Sequence, residues 1–471
     1  MTDPDAFIET FAAFLHEVVE SHRGQRSDEP GAATLAVSEH LGTDAREVPV
    51  VTETVSRARL VDAEIALAAL DPGHRVIGIG GARHHGELSF SELLRGTHGA
   101  LEIGPVAYTS MAAGPARTQH VVTLGVRLLS FEGRPVAVLQ RDAQQEWGRS
   151  QPTIEVITED QELARSFVTG LRDEMRRLSV LRGQVISFDH DDFHDSLGGL
   201  TFHERPEVAR DEIVLPAETL DRLEHHVVEM GRHRDVLLAA GQHLKRGILL
   251  YGPPGTGKTH TVRYLLSHTH GVTAILLSGN RLGLVREAVK IARVMEPAIV
   301  VLEDCDLVAE DRDMIDSPDS MLFELMEALD GLEGDADVTF VMTTNRADLL
   351  EKALTQRPGR VDLALEVPLP DRAGREALFA LYARDRGLSA DAIARAAARA
   401  EGVTASFAKE LVRRTVLRAA VEGHPVGDGD LDASLDELLS DREQFTRSLL
   451  ASGPTVFAAT DDDDDDEWFD D

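Results

Sequence analysis

The chain has 471 residues, 28% of them charged and 42% hydrophobic, with 48 Lys and Arg against 82 Asp and Glu for a net charge of −34. This length leads one to expect about three domains at roughly 150 residues each, and the composition excludes a disordered or fibrous chain. A surface this acidic disfavours general binding to nucleic acid or to anionic membrane.

From the N-terminus, Asp3 and Pro4 can start a helix as N-cap and first-turn proline. Phe7, Phe11, Phe14, Leu15 and Val18 then recur at helical spacing. No basic stretch and no long apolar run accompanies them, so no signal peptide is expected. Residues 75–80, 121–129 and 135–140 read as strands separated by Gly-rich turns. A helix is expected over 161–182, with Leu163, Phe167, Leu171, Met175 and Leu178 as its apolar stripe and Gly183 ending it. Residues 185–188 read as a short strand. Residues 1–195 are thus expected to form an N-terminal α+β domain, or two small subdomains, that binds a partner. Asp189-His190-Asp191-Asp192-Phe193-His194-Asp195 offers metal-ligand types, but no second cluster with ligand spacing lies nearby. A solvated acidic linker accounts for it better.

Residues 205–371 alternate short apolar runs with amphipathic helices, as in a parallel sheet flanked by helices. The strand pattern of 247–251 leads into Gly252-Pro253-Pro254-Gly255-Thr256-Gly257-Lys258-Thr259. This is a G-x-x-x-x-G-K-T phosphate loop in its expected setting between strand and helix. Its glycines let backbone N–H groups close around phosphates, and the next helix points its positive end at them. Lys258 would reach the β and γ phosphates of ATP, and Thr259 would offer a hydroxyl to Mg²⁺. Next, an apolar strand over 298–302 ends in Glu303-Asp304. Paired acids there can hold the metal, through Glu303, and polarise the attacking water, through Asp304. Cys305 is the one cysteine, so no internal disulfide forms, and a reducing, cytoplasmic location is expected. A third buried strand ends in Asn345, which could orient the water, touch the γ-phosphate, or simply turn the chain. Arg357 and Arg360 flank Pro358-Gly359 on a stiff turn. A guanidinium there can reach a phosphate across a subunit boundary, although a salt-bridged surface turn accounts for these residues alone. Residues 372–445 read as helices only, and no run approaches the roughly 18 apolar residues of a membrane span. The chain ends in six aspartates followed by Glu467-Trp468-Phe469-Asp470-Asp471.

In this order, the phosphate loop, the acid pair, Thr343-Thr344-Asn345 and Arg357-Pro358-Gly359-Arg360-Val361-Asp362 resemble the AAA ATPase family. Pro368-Leu369-Pro370-Asp371 and Gly374-Arg375 continue the likeness, and Gly402-Val403-Thr404-Ala405-Ser406 is similar to the start of that family's lid helix. The resemblance spans about residues 205–445. It is closest to the respiratory-chain assembly and proteasomal branches, through the acid pair after Leu302 and Ala328-Leu329-Asp330-Gly331. It implies an α/β nucleotide-binding domain over 196–371 and a small helical lid over 372–445, and the acidic composition of 446–471 reads as a disordered tail. It further implies Mg-dependent ATP hydrolysis in a ring, usually a hexamer, coupled to remodelling of a protein or protein complex. Arg357 and Arg360 would act on the neighbour's nucleotide and Asn345 as first sensor. Ala405 would meet the nucleotide from the lid. Ile213 and Val214 would lie near the adenine by analogy of position.

Three features depart from the family pattern. The acid pair is Glu303 then Asp304 rather than Asp then Glu, which moves each carboxylate by one methylene. The segment Leu276-Leu277-Ser278-Gly279-Asn280-Arg281-Leu282-Gly283 is short and lacks an aromatic residue, which argues against threading by aromatic paddles. The H-E-x-x-H of membrane-anchored AAA proteases is missing, and His16-Glu17-Val18-Val19-Glu20 lacks the second histidine. The exchanged acids and the short loop keep open an alternative, a slowly hydrolysing nucleotide-dependent scaffold or switch. Trp468 and Phe469 could dock on a receptor, or the tail could be a solubilising one.

Overall fold

The computed structural model describes residues 29–81, 88–96, 99–144, 149–190, 197–306, 336–346 and 361–451. The expected first helix, the Ala328–Gly331 motif (residues 328–331), Arg357, Arg360, residues 191–195, Trp468 and Phe469 lie outside them.

The first unit contains α1 (Ala32–Leu41), β1 (Val50–Thr54), α2 (Leu60–Leu70), β2 (Arg75–Gly80), α3 (Phe90–Arg95), β3 (Glu102–Gly104), β4 (Ala107–Gly114), β5 (Arg117–Phe131), β6 (Arg134–Arg141), β7 (Thr153–Ile157) and α4 (Gln161–Arg177). Its strands pair antiparallel in the order β1-β7-β6-β5-β2-β3, with β4 also on β5. Successive side chains of a strand face opposite sides. Val136 and Val138 therefore pack with Leu163, Phe167 and Leu171 of α4, whereas Ala137 and Leu139 pack with Phe90, Leu93 and Leu94 of α3. Both faces of the sheet are covered by helices. Each fully buried side chain such as Phe167 contributes about 1.5–3 kcal/mol. Gly78 is required by close packing, because a Cβ there would lie 2.1 Å from the Pro105 carbonyl.

The second unit begins with β8 (Val185–His190) and β9 (Leu197–His203), then α5 (Ala217–Glu224). It continues with β10 (Arg246–Tyr251), α6 (Lys258–His268), β11 (Thr273–Ser278), α7 (Val285–Val294), β12 (Ala298–Glu303), β13 (Val338–Thr344) and β14 (Leu363–Glu366). The sheet order is β14-β10-β13-β12-β11-β8-β9, parallel throughout except for β9. Strands covered on both faces read as continuous apolar runs. Ile248, Leu250, Ile299, Val301 and Val341 pack on the α5 and α6 side. Leu249, Val300, Leu302, Phe340 and Met342 pack on the α7 side with Ala288, Ile291 and Met295. Asp362 pins the edge strand to β10: Gly247 N donates to its carboxylate at 2.8 Å, and Asp362 N donates to Gly247 O at 2.8 Å.

The helical lid comprises α8 (Arg372–Tyr382), α9 (Ala390–Arg399), α10 (Ala405–Glu422) and α11 (Asp428–Ala451) around an Ala- and Leu-rich core. Asp371, Ser389 and Thr404 cap α8, α9 and α10 by accepting from Gly374 N, Ala392 N and Phe407 N. Arg375 is buried and binds these helices together, donating to Ala397 O at 2.8 Å and Pro370 O at 3.0 Å.

Three boundaries differ from the sequence expectation. Helix α4 stops at Arg177 rather than 182, because buried Asp62 draws the chain out of the helix, accepting from Ser179 Oγ at 2.8 Å and Val180 N at 2.9 Å. The strand expected within the N-terminal domain, β8, belongs to the nucleotide-unit sheet, paired with β11. Gly183 at φ 70° turns the chain into it, and Gly183 N donates to Thr273 Oγ1 at 3.0 Å. A division at residue 195 would therefore cut between two strands of one sheet. At the other end, α11 runs to Ala451, past the expected tail boundary at 446. No helix among the described residues is long and apolar enough to cross a membrane.

Candidate nucleotide site

The sheet order places β13 between β10 and β12. The phosphate loop, Asn345 and the acid pair therefore emerge side by side at the carboxyl ends of three adjacent strands, where open α/β sheets bind ligands. They open onto a cleft of about 610 Å³ lined by Pro254, Gly255, Gly257, Lys258, Thr259, Asp304 and Asn345 on the sheet side. Leu381, Tyr382, Ala405, Ser406 and Lys409 line it from the lid.

The phosphate loop has the conformation its glycines permit. Gly252, Gly255 and Gly257 have φ of 148°, 76° and 108°. A Cβ on Gly252 would lie 2.3 Å from Val367 O, so this approach to the edge of the sheet requires glycine. Thr256 Oγ1 donates to Pro253 O at 2.9 Å. Lys258 is buried and donates to Gly252 O at 2.8 Å, Pro253 O at 3.0 Å and Asn345 Oδ1 at 2.8 Å. Burial lowers its pKa, opposed by the charges of Asp304 and Asp306.

The two acids have different surroundings. Burial raises the Glu303 pKa, opposed by a hydrogen bond with the Thr259 side chain and reinforced by the charge of Asp304. Asp304 lies at φ 53°, and its N–H donates to Thr343 Oγ1 at 3.0 Å. Asp306 is buried and accepts from Thr344 Oγ1 at 3.0 Å, Asn345 N at 3.0 Å and Asn345 Nδ2 at 3.2 Å. Burial alone would raise the Asp306 pKa, yet the bonds from Asn345, its own backbone and Thr344 hold it below the ordinary carboxylate value.

The site thus brings together Lys258, Thr259, Glu303, Asp304, Asn345 and Ala405. Ser406 N donates to Gly255 O at 3.1 Å, which fastens the start of the lid helix to the loop. Ile213 is buried in the sheet core and Val214 packs against the lid core, while the preceding Glu212 lines the cleft. Sequence reasoning assigned no role to Asp306, Thr343, His260, Arg263, Tyr382 or Lys409. Asp306 carried the one available signal, a third acid two residues after the pair.

A parallel sheet with a phosphate loop, an acid pair and a polar-ended strand around one cleft, closed by a helical lid, defines a P-loop nucleoside triphosphatase. The ATPase family associated with various cellular activities (AAA) matches residues 248–369. Proteasome-activating nucleotidase 1 of Haloferax volcanii is 30% identical over 268 residues, 52% of this chain and 62% of that protein. A 26S proteasome regulatory subunit 6B homolog of Encephalitozoon cuniculi is 40% identical over 148 residues, 28% of this chain and 38% of its own length. ATP-dependent zinc metalloprotease FtsH 3 of Sphaerobacter thermophilus is 30% identical over 266 residues, 54% of each chain. The chain spans about half the length of the curated relatives it matches. Residues 248–369 thus carry an AAA-type nucleotide-binding domain.

Proposed function

We propose that this chain is an AAA ATPase that hydrolyses Mg-ATP within a ring, a hexamer, and uses the cycle to remodel a protein or protein complex in the cytoplasm. The observation that carries this reading is the convergence of Lys258, Asn345, Asp304 and the Thr259–Glu303 pair on one cleft walled by the lid. Thr259 and Glu303 are hard oxygen donors that fit Mg²⁺. When bound, the ion would neutralise phosphate charge. Lys258 turns from the loop carbonyls to the β and γ phosphates. Asp304 takes a proton from the attacking water as its oxygen bonds to the γ-phosphorus. The bond from that phosphorus to the β–γ bridging oxygen breaks, and ADP leaves. Arg357 and Arg360 of a neighbouring copy stabilise the transferring charge, and adenine lies toward the segment of Glu212, Ile213 and Val214. The unit before Gly183 selects the protein partner, and the segment holding Trp468 and Phe469 is a candidate docking peptide.

The test is ATP hydrolysis per subunit across a range of protein concentrations, with Lys258→Ala and Arg360→Ala alongside. Specific activity is expected to rise with concentration, and both variants are expected to lose at least about a hundredfold in turnover. Near-normal turnover in Lys258→Ala would refute the site. Flat, near-background activity with retained nucleotide binding would favour the slowly hydrolysing scaffold.

A further inference from the structure

The side-chain amide of Asn345 is fixed chemically from both ends. Lys258 Nζ can only donate, and it lies 2.8 Å from Asn345 Oδ1. An ionised Asp306 can only accept, and its Oδ2 lies 3.2 Å from Asn345 Nδ2. Turning the amide by 180° would set donor against donor at Lys258 and acceptor against acceptor at Asp306, so the assignment of oxygen and nitrogen is not arbitrary. The other Asp306 oxygen accepts from Thr344 Oγ1 and Asn345 N, both at 3.0 Å, which fixes the carboxylate itself.

We propose that Asp306 is a positioning residue that locks Asn345 with its carbonyl oxygen toward the phosphate loop, so that Asn345 acts in the reaction as a hydrogen-bond acceptor. It accepts from Lys258 and, once that ammonium moves to the phosphates, from the attacking water. It is barred from donating to the γ-phosphate while Asp306 is a carboxylate. One hydrogen of the water then points at Asn345 Oδ1, which leaves the other for Asp304. This rests on the ATPase reading given above.

Asp306→Asn tests it. Its one accepting oxygen stays with Thr344 Oγ1 and Asn345 N, which turns its amide nitrogen toward Asn345. The Asn345 amide then flips and presents its nitrogen to the loop. Turnover is expected to fall roughly tenfold or more, as for loss of one placed hydrogen bond in a transition state. The KM for ATP, and the affinity for an ATP analogue with a β,γ-imido bridge, are expected to hold or tighten, because a donor now faces the phosphate. The exchange Asp306→Asn with Asn345→Asp restores an accepting oxygen toward Lys258, and is expected to recover at least about threefold over Asp306→Asn alone. Unchanged kcat in Asp306→Asn overturns the proposal. So does joint loss of kcat and analogue binding without recovery in the exchange variant. A wild-type chain that binds ATP without turning it over overturns the ATPase reading alone. The amide orientation is then read from analogue affinity, expected to be tighter in Asp306→Asn and restored by the exchange; equal affinities overturn it.

Discussion

Asp304 occupies the left-handed region at φ 53°, a conformation that costs a non-glycine residue on the order of 1 kcal/mol or more. Its N–H bond to Thr343 Oγ1 and the Cys305 N bond to Thr343 O, at 2.9 Å, hold that turn against β13. The turn is what carries Asp306 under Asn345. Cys305 lies inside it, half-buried, with Sγ 3.4 Å from Leu302 O. Burial, with the charges of Asp306 and Asp304, pushes its thiol up to about 12. The thiolate is the reactive species. Alkylation by iodoacetamide at pH 8 is therefore expected to be at least about a hundredfold slower in the folded protein than in the chain unfolded by urea. Because Cys305 is the only cysteine, mass spectrometry reads this directly. Equal rates would show that the turn does not shield the thiol.

At the scale of elements, the carboxyl ends of β10, β12 and β13 carry the chemistry, and their amino ends carry stability. Arg246 at the start of β10 is buried against Asp337, donating through Nη2 at 2.6 Å, and its Nε donates to Thr339 Oγ1 at 3.0 Å. Arg234 adds a second cation 3.4 Å from Asp337. Removing one member of such a pair leaves a desolvated charge. Asp337→Ala is expected to destabilise by about 3–5 kcal/mol in urea denaturation, and Asp337→Ala with Arg246→Met by clearly less. Equal losses would mean that Asp337 acts through something other than the buried guanidinium. The lid meets the loop through backbone, since Ser406 N donates to Gly255 O.

For the whole molecule, the two units share a strand boundary rather than a linker. Leu181, Ile186 and Phe188 are fully buried in the core beneath α7, together with Ala58 of the first unit. Arg182 donates to Glu296 O at 3.1 Å across the same junction. A chain beginning at residue 196 loses β8, bares the edge of β11 and forfeits about 1.5–3 kcal/mol for each of Ile186 and Phe188. It is expected to aggregate on size-exclusion chromatography and to melt lower than a chain beginning at residue 181. Indistinguishable elution and melting would show that β8 contributes nothing to the nucleotide unit.

Much of the site was legible in the sequence because its parts are local. A phosphate loop needs only a strand, a glycine-rich turn and a helix in succession, and Gly252–Thr259 (residues 252–259) spells out all three. The acids after Leu302 and the amide after Thr344 stand at strand ends that apolar runs announce. The sequence by itself therefore determined which residues stand at the strand ends of the cleft and the parallel sheet that displays them. Only the tertiary structure decided which strand joins which sheet, since the apolar pattern of Val185–His190 fits the edge of either. It also decided where α4 ends, because Asp62 lies 117 residues from Ser179 in the chain. The same holds for Asp306. Its role depends on an amide reached across 39 residues, and hydrogen-bond direction between distant side chains leaves no periodic trace in a sequence.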